Sequence, residues 1–271
     1  TQFNSNNNEE LIIPSGVTKI GEFAFQNLSS ITKIVVPDTV TEIGEGAFKG
    51  CAALEDITLP FIGKTANYNE SREAVFGYIF GRYSSNTSSR PTGTIYQGWG
   101  KYSDFYLITE TSGDNRGYNS YCYADYYYIP TSIKKVTITS DTTIPYGAFQ
   151  NCDFIESITI PTGTTSISAF AFKNCKSITE MNFGSSLTTI GQYAFHGCIS
   201  LKRMNSSTDG VIILPTNLTV IPSHTFQGCV EITKVVVGNI TEIGAYAFSG
   251  CESITQFNSN NNEELIIPSG V

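Results

Sequence analysis

The sequence repeats a short unit about every 23 residues, and this periodicity restricts the fold more than any other feature. Most units carry Ala-Phe followed by a Cys, with Leu28 replacing one Cys and Thr225 replacing one Ala. A unit this short cannot bury its own apolar face, but stacked units share one core. The repeated Phe residues are Phe25, Phe48, Phe149, Phe172, Phe195, Phe226 and Phe248, and two of the intervals between them are longer than the rest.

Each unit contains an alternating apolar segment that predicts a strand. In one unit, Ile31, Ile34 and Val36 occupy positions 1, 4 and 6 and Pro37 follows at position 7. Alternation of β-branched residues is typical of a strand, and Pro ends it. The Ile-Gly-x-x-Ala-Phe segment then returns through a short extended piece and one helical turn. We therefore predict a solenoid of the leucine-rich-repeat type, with a parallel β-sheet and short helical turns.

The two long intervals indicate where residues are inserted. The interval from Phe48 to Phe149 contains an insertion at about 61–129 that carries 12 of the 15 Tyr residues. We expect repeat coils at 1–60 and 130–271, forming one continuous solenoid, with this aromatic-rich segment as a lateral insertion. The interval from Phe195 to Phe226 contains a shorter insertion around 205–210. It predicts a loop at a strand edge, between Met204 and a strand at 212–214.

Residues 1–17 and 255–271 have the same sequence, TQFNSNNNEELIIPSGV. The other units differ from one another at most exposed positions, so drift of the repeat does not produce such a match. The duplication predicts tandem, nearly identical modules, each equivalent to residues 1–254, with this chain as a fragment of a longer protein. The alternative is that one copy was added artificially at an end.

The cysteines of the repeat predict a row of buried thiols. Six of the seven Cys residues occupy one coil position, and Leu28 occupies it in another unit, which marks an apolar slot. Neighbouring coils bring the thiols within disulfide range, but parallel Cα–Cβ vectors oppose pairing. We expect free thiols and keep a disulfide ladder and metal binding as alternatives. Cys122 lies apart, inside the insertion.

Composition and motifs argue against several functions. The net charge is −8 and no basic cluster occurs, which disfavours nucleic-acid binding, and no apolar run is long enough to span a membrane. His196 and His224 are the only His residues, and neither has a second His at ligand spacing. The two Ser-x-x-Lys sequences, at Ser30 and Ser132, fall on predicted strands rather than a helix start. We therefore expect no enzyme activity, no metal and no cofactor.

The repeat resembles the BspA-type, or Treponema-type, leucine-rich repeats. The residues that carry the resemblance are Val40-Thr-Glu-Ile43-Gly44, Ala47-Phe48 and Cys51, and the pattern recurs over 11–60 and 133–271. The resemblance implies a protein that is secreted or attached to the cell surface. It also implies an adhesin or interaction scaffold that binds host or matrix proteins or other cells, with no catalytic motif. The segments 75–81 and 128–139 resemble parts of such proteins from gut bacteria.

Two surfaces are candidate binding sites. The insertion exposes aromatic side chains that suit recognition, or that form a small core of the insertion itself. The outward positions 3 and 5 of the strands form a second surface, which is a ligand face or simply solvated. The candidate residues are Trp99, Tyr102 and Tyr106 in the insertion, and Lys33, Val35, Asp56, Thr58, Lys135, Thr137, Ser157, Thr159, Glu180, Asn182, Lys234 and Val236 on the strands.

The sequence thus favours a non-enzymatic, extracellular or cell-surface scaffold with protein partners. The alternative is a structural module, in which copies of the tandem module stack end to end into a stalk or filament. In that case the chain's partner is another copy of itself, because the coil at 254–271 continues in register into the coil at 11–28.

Overall fold

The computed structural model describes residues 9–66, 71–82, 94–99 and 125–259. Within these ranges the only helix is the short 3-10 helix Phe76–Phe80. The strands are β1 (Glu10–Ile12), β2 (Lys19–Ile20), β3 (Lys33–Val35), β4 (Glu42–Ile43), β5 (Asp56–Leu59), β6 (Thr94–Trp99), β7 (Asp125–Pro130), β8 (Lys135–Ile138), β9 (Thr143–Ile144), β10 (Ser157–Thr159), β11 (Ser166–Ile167), β12 (Glu180–Met181), β13 (Thr189–Ile190), β14 (Arg203–Met204), β15 (Val211–Ile213), β16 (Val220–Ile221), β17 (Lys234–Val237), β18 (Glu242–Ile243) and β19 (Gln256–Ser259).

One side of the molecule is formed by two parallel sheets of five strands each. The strand orders are β1-β3-β5-β8-β10 and β12-β14-β15-β17-β19. The residues at position 4 lie opposite one another and are buried, so the alternating pattern sets the register. Because β5 pairs directly with β8, the sheet continues across the insertion. The predicted leucine-rich-repeat solenoid is confirmed. The aligned residues are Leu11, Ile34, Ile57, Val136 and Ile158.

The predicted extended piece forms a second, narrower set of parallel strands. It consists of β2-β4, β13-β11-β9 and β16-β18. The Thr that precedes each piece joins the coils through its hydroxyl: Thr188 Oγ1 donates to Thr165 O at 3.1 Å, and Thr165 Oγ1 donates to Thr142 O at 3.1 Å. The recurrent Thr of the repeat therefore bonds to the preceding coil.

The Phe residues of the repeat stack face to face through the core. The ring centroid of Phe172 lies 5.7 Å from that of Phe149 and 5.3 Å from that of Phe195, with planes within 10°. The segment around each Phe is a series of turns rather than a regular helix. Alternate backbone amides donate to the next coil, as Phe172 N does to Ala194 O at 2.8 Å, so the segment cannot form the continuous series of hydrogen bonds of a helix.

The extra residues near 205–210 add a strand to the sheet. The predicted loop joins β14 to β15, which lie side by side with Met204 opposite Ile212. The spacing alone did not predict this pairing. On the opposite side, Phe195 still stacks directly on Phe226 at 5.4 Å. At this point the sheet has one strand more than the stack has Phe rings, which lengthens the sheet by about 4.8 Å relative to the stack. The coils on either side must therefore diverge on the side of the sheet.

The side-chain amide of Asn205 fills the position of a missing peptide group beside the extra strand. Its Oδ1 accepts from Phe183 N at 2.8 Å, and its Nδ2 donates to Ile213 O at 3.0 Å. The residue has a φ of 51°, which Asn tolerates better than most residues. A shallow cleft beside it is lined mainly by Phe183, Leu214 and Pro215.

The described part of the predicted insertion packs against the coils. The 3-10 helix lies in the layer between two Ala-Phe turns: Phe48 N donates to Ile79 O at 2.9 Å, and Phe76 N donates to Ala148 O at 2.9 Å. The ring of Phe76 lies 5.1 Å from that of Phe149. This segment therefore takes the place of an Ala-Phe turn in the coil that begins with β5. The domain boundaries at 60 and 130 stay a prediction.

The antiparallel hairpin of β6 and β7 is joined to the solenoid by a buried Gln. The Oε1 of Gln97 accepts from Gly77 N at 2.5 Å, and its Nε2 donates to Ala148 O at 2.8 Å. Gly77 has no room for a Cβ, which would overlap the Cβ of Tyr127. Gln97 thus connects the hairpin to the backbone of the solenoid by hydrogen bonds.

Candidate interaction surfaces

The predicted strand residues lie on the outer side of the two main sheets, which we call the strand face. On β3, β5, β8 and β10 parallel pairing aligns them in two rows, with position 3 opposite position 3 and position 5 opposite position 5. Glu180, Lys234 and Val236 lie on strands of the second sheet. Each of the predicted residues is exposed or half-buried, and each is flanked along its strand by buried residues. They are Lys33, Val35, Asp56, Thr58, Lys135, Thr137, Ser157, Thr159, Glu180, Asn182, Lys234 and Val236.

Most charges in the position 3 row are paired between neighbouring strands. Lys33 Nζ lies 2.5 Å from Glu10 Oε1, and Lys135 Nζ lies 3.4 Å from Asp56 Oδ2. The hydrogen bond to Glu10 raises the pKa of Lys33. Arg203 contacts Glu180 at 2.7 Å. Such exposed pairs add little stability, but they leave the face without a strong net charge.

Most side chains of the position 5 row are β-branched. Thr58, Thr137 and Thr159 follow one another in register at its centre, and Val35 precedes them. Lys234 differs from the other lysines of the face, because its strand neighbours are Val211 and Gln256 rather than carboxylates. Within the described residues the strand face is therefore rich in hydroxyl groups and locally cationic near Lys234.

Of the three aromatic candidates of the insertion, Trp99 alone lies within the described residues. The backbone of Trp99 pairs with Asp125, at the end of the hairpin that lies away from Pro130. Tyr102 and Tyr106 lie outside the described residues, as does Cys122. Their role in binding stays a prediction.

A ladder of aromatic rings, which we did not predict from the sequence, lies along the Ala-Phe turns. Tyr193 stacks on Phe170 at 4.9 Å and on His224 at 4.4 Å, and His224 stacks on Tyr246 at 4.9 Å. Lys173 lies 5.2 Å from the Phe170 ring centroid, within cation–π range. The sequence contains a signal for this ladder, because an aromatic residue precedes the Ala in several units. We call the set Tyr146, Phe170, Tyr193, His224 and Tyr246 the aromatic ladder.

Four residues of the ladder have a left-handed backbone. Their φ values are 61° at Phe170, 58° at Tyr193, 60° at His224 and 59° at Tyr246, while Gly147 has 61° at the same coil position. This conformation costs about 1–2 kcal/mol for a residue with a side chain. Stacking between neighbouring rings offsets part of that cost.

The imidazole of His196 makes the stability of this region dependent on pH. Burial and then the nearby Lys173 ammonium lower its pKa, and its buried Nδ1 contacts no hydrogen-bond partner within the described residues. A group with a lowered pKa stabilises the fold while neutral, and the contribution is lost as pH falls below the unfolded value of about 6.5.

We therefore expect His196→Gln to lose less stability than the parent chain between neutral and mildly acidic pH. Urea unfolding of both proteins at the two pH values measures the difference. An equal loss in both proteins would show that protonation of His196 does not contribute.

The six repeat cysteines are free and buried. Their thiols donate weak hydrogen bonds across coils, as from Cys175 Sγ to Phe149 O at 3.1 Å and from Cys251 Sγ to Phe226 O at 3.0 Å. Burial raises the pKa of Cys198 to about 12 and the pKa of Cys51 to about 11. The expectation of unpaired thiols is confirmed for these six, and none is poised to be a nucleophile.

Thiol titration should separate these cysteines from Cys122. In the native protein we expect the six repeat thiols to resist Ellman's reagent at mildly alkaline pH, so that at most one of the seven Cys residues reacts promptly. All seven should react in denaturant. Prompt reaction of two or more thiols in the native protein would contradict the buried row.

Two kinds of feature are absent from the described part of the chain. It contains no group of three or more His, Cys, Asp or Glu residues that could hold a metal ion. None of its helices has the length and apolar character needed to cross a membrane.

Short coils, parallel strands and stacked Phe residues define the chain as a leucine-rich-repeat solenoid. The BspA-type leucine-rich repeat region matches residues 1–77, 121–211 and 210–269 in six copies. The chain belongs to this family. Among curated proteins, no match was found.

Several solved structures have a similar fold. A leucine-rich repeat protein of T. pallidum is 17% identical, with a TM-score of 0.42 over 92% of this chain and 79% of that chain. A leucine-rich cell surface protein of Faecalibacterium prausnitzii is 19% identical, with a TM-score of 0.38 over 93% and 69%. A leucine-rich repeat protein of Bacteroides ovatus is 20% identical, with a TM-score of 0.44 over 94% and 64%. At these identities the likeness concerns the fold alone.

Proposed function

We propose that this protein is a non-enzymatic, extracellular or cell-surface scaffold that binds other proteins through its strand face. The paired charges and the threonine row carry the proposal. Removing water from a face whose charges neutralise one another costs little free energy. Its hydroxyl groups can then form hydrogen bonds to a protein partner in several geometries. The family supports a repeat scaffold as the setting for this face.

The test is binding to a panel of immobilised extracellular-matrix proteins. Replacing Thr137 and Thr159 by Arg places two large cations on the strand face, and we expect binding to fall by at least about tenfold, as for the loss of a central contact. The matched control replaces the exposed Gln192 and Ala245 by Arg on the opposite side and should bind like the parent chain.

Each other outcome has a clear meaning. Equal loss in both variants, or no binding of the parent chain to any protein of the panel, would contradict the strand face as the binding surface. If Trp99→Ala abolishes binding while the strand-face variant retains it, the insertion is the binding surface instead.

A second candidate function is a structural module in a stalk or filament. The exact duplication of residues 1–17 at 255–271 favours it, since the repeat of the module continues the coils in register. Negative-stain electron microscopy of the intact native protein tests this function. Long fibres with an axial repeat of one module would support it, whereas discrete curved particles would contradict it.

A further inference from the structure

The last described coil has an incomplete surface that matches the first described coil. Ile243 is 48% exposed, whereas Ile221, at the same position one coil earlier, is 1% exposed because β18 covers it. Tyr246 is 64% exposed, and only one face of its ring is stacked, on His224. At the other end of the solenoid Phe23 is 43% exposed. Large apolar side chains are thus open on both terminal coils of the described chain.

Unpaired backbone groups on the two coils are complementary. Elsewhere the Ala-Phe turns donate alternate amides to the next coil, as Tyr193 N does to Ser223 O at 3.3 Å and Phe195 N does to Thr225 O at 2.9 Å. The corresponding amides of Tyr246 and Phe248 donate to no described residue. The carbonyls of Glu22 and Ala24, at the equivalent acceptor positions of the first coil, accept from no described residue.

The charges of the narrow strands are complementary too. In the first pair of coils Lys19 lies opposite Glu42, with Nζ 2.9 Å from Oε2. Glu242 occupies the same coil position as Glu42, at the open edge of β18. A copy of Lys19 placed against that edge would meet a carboxylate.

The sequence places the next coil in register across an extra strand. Residues 204–215 read MNSSTDGVIILP, and residues 257–268 read FNSNNNEELIIP, which aligns with them without a gap. In a tandem array, the interval from Tyr246 to Phe23 of the second copy therefore equals the interval from Tyr193 to His224. Tyr193 and His224 stack on each other at 4.4 Å across the first extra strand.

We infer that the last coil docks onto the first coil of a second copy of this module, and that the aromatic ladder runs on through the junction. Tyr246 stacks on Phe23 of the second copy, Ile243 packs against Ile20 of the second copy, and Glu242 pairs with Lys19 of the second copy. The inference rests on the proposed tandem array and specifies its junction.

A two-module protein tests the junction directly. It consists of residues 1–254 followed by the full chain 1–271, with Cys122→Ser in both copies. Ile243→Cys is introduced into the first or the second copy, and alkylation by a maleimide is timed. In the first copy the thiol lies in the junction, and we expect alkylation at least about tenfold slower than in the single chain, because reaction requires local opening.

The second-copy variant is the matched control, since no Ile20 of a following copy covers its introduced thiol, which should react as fast as Ile243→Cys in the single chain. Equal rates for the two copies would overturn the docked junction. A charge exchange gives an independent readout: Glu242→Lys in the first copy should accelerate alkylation there, and Lys19→Glu in the second copy should restore the slow rate. Failure of the exchange to restore it would overturn the assigned ion pair.

The outcomes distinguish this inference from the proposed functions. Equal alkylation rates together with fibres in electron microscopy would mean an array of modules that do not dock as assigned. A slow first-copy thiol without fibres would leave the junction standing and contradict the filament. Neither result bears on binding by the strand face, which is measured on the single chain.

Discussion

Replacing Phe172 by Ala should lower the free energy of unfolding by about 3–5 kcal/mol, as for other large truncations in a packed core. The ring is fully buried between Phe149 and Phe195, so its removal leaves a cavity and interrupts the stack on both sides. Guanidinium unfolding followed by circular dichroism measures the loss. The expected result is a much lower transition midpoint with secondary structure retained in the absence of denaturant.

Phe23→Ala is the matched control for this prediction. Phe23 belongs to the exposed aromatic position of the first coil, and 43% of it is accessible to solvent. Its truncation should change stability by no more than about 1 kcal/mol. A similar loss for both variants would contradict the stacked Phe core.

Replacing Asn205 by Ala should lower the free energy of unfolding by about 2–4 kcal/mol, because it leaves Phe183 N and Ile213 O without partners beside the extra strand. Ala also fits the φ of 51° poorly. Asn205→Gly separates the two causes, since Gly adopts this φ freely but still lacks the amide. Both variants should therefore be destabilised, with Ala the more affected.

Asn217→Ala provides a comparison on an exposed Asn of a neighbouring turn. The Nδ2 of Asn217 donates to Ser185 O at 2.8 Å, at the surface, where water can replace it. Its loss should lower the free energy of unfolding by less than about 1 kcal/mol. If Asn205→Ala is no more harmful than Asn217→Ala, the amide of Asn205 does not hold the extra strand in place.

The structure of the coil could be predicted from the sequence, because the signals for it are local. Alternation at Ile34 and Val36 and the Pro37 that follows set the strand, and the regular spacing of the units set the register. The buried Cys slot was also predictable, since Leu28 shows that the position is apolar. These features depend on the unit alone or on stacking of equal units.

What the sequence did not predict arises where one coil departs from the others. The sequence predicted the loop after Met204. It did not predict that the strands on either side of this loop lie next to each other, because that depends on pairing between coils. Gln97 bonds to Gly147 and Ala148, which lie far from it along the chain. The aromatic ladder was overlooked because four of its members, Phe170, Tyr193, His224 and Tyr246, occupy a position that Gly147 also fills, where the backbone conformation rather than hydrophobicity is the common property.

The pairing of β5 with β8 joins the coils before and after the insertion into one solenoid with one strand face. Lys135 N donates to Glu55 O at 3.0 Å and Thr139 N donates to Leu59 O at 3.0 Å, so both amides bond across the insertion. Native-state amide hydrogen exchange measures these bonds directly. We predict that both amides exchange as slowly as Val36 N, which bonds to Thr58 O at 2.9 Å within the first coils. Rapid exchange at Lys135 and Thr139 with a slow Val36 would show two separate sheets and contradict the account.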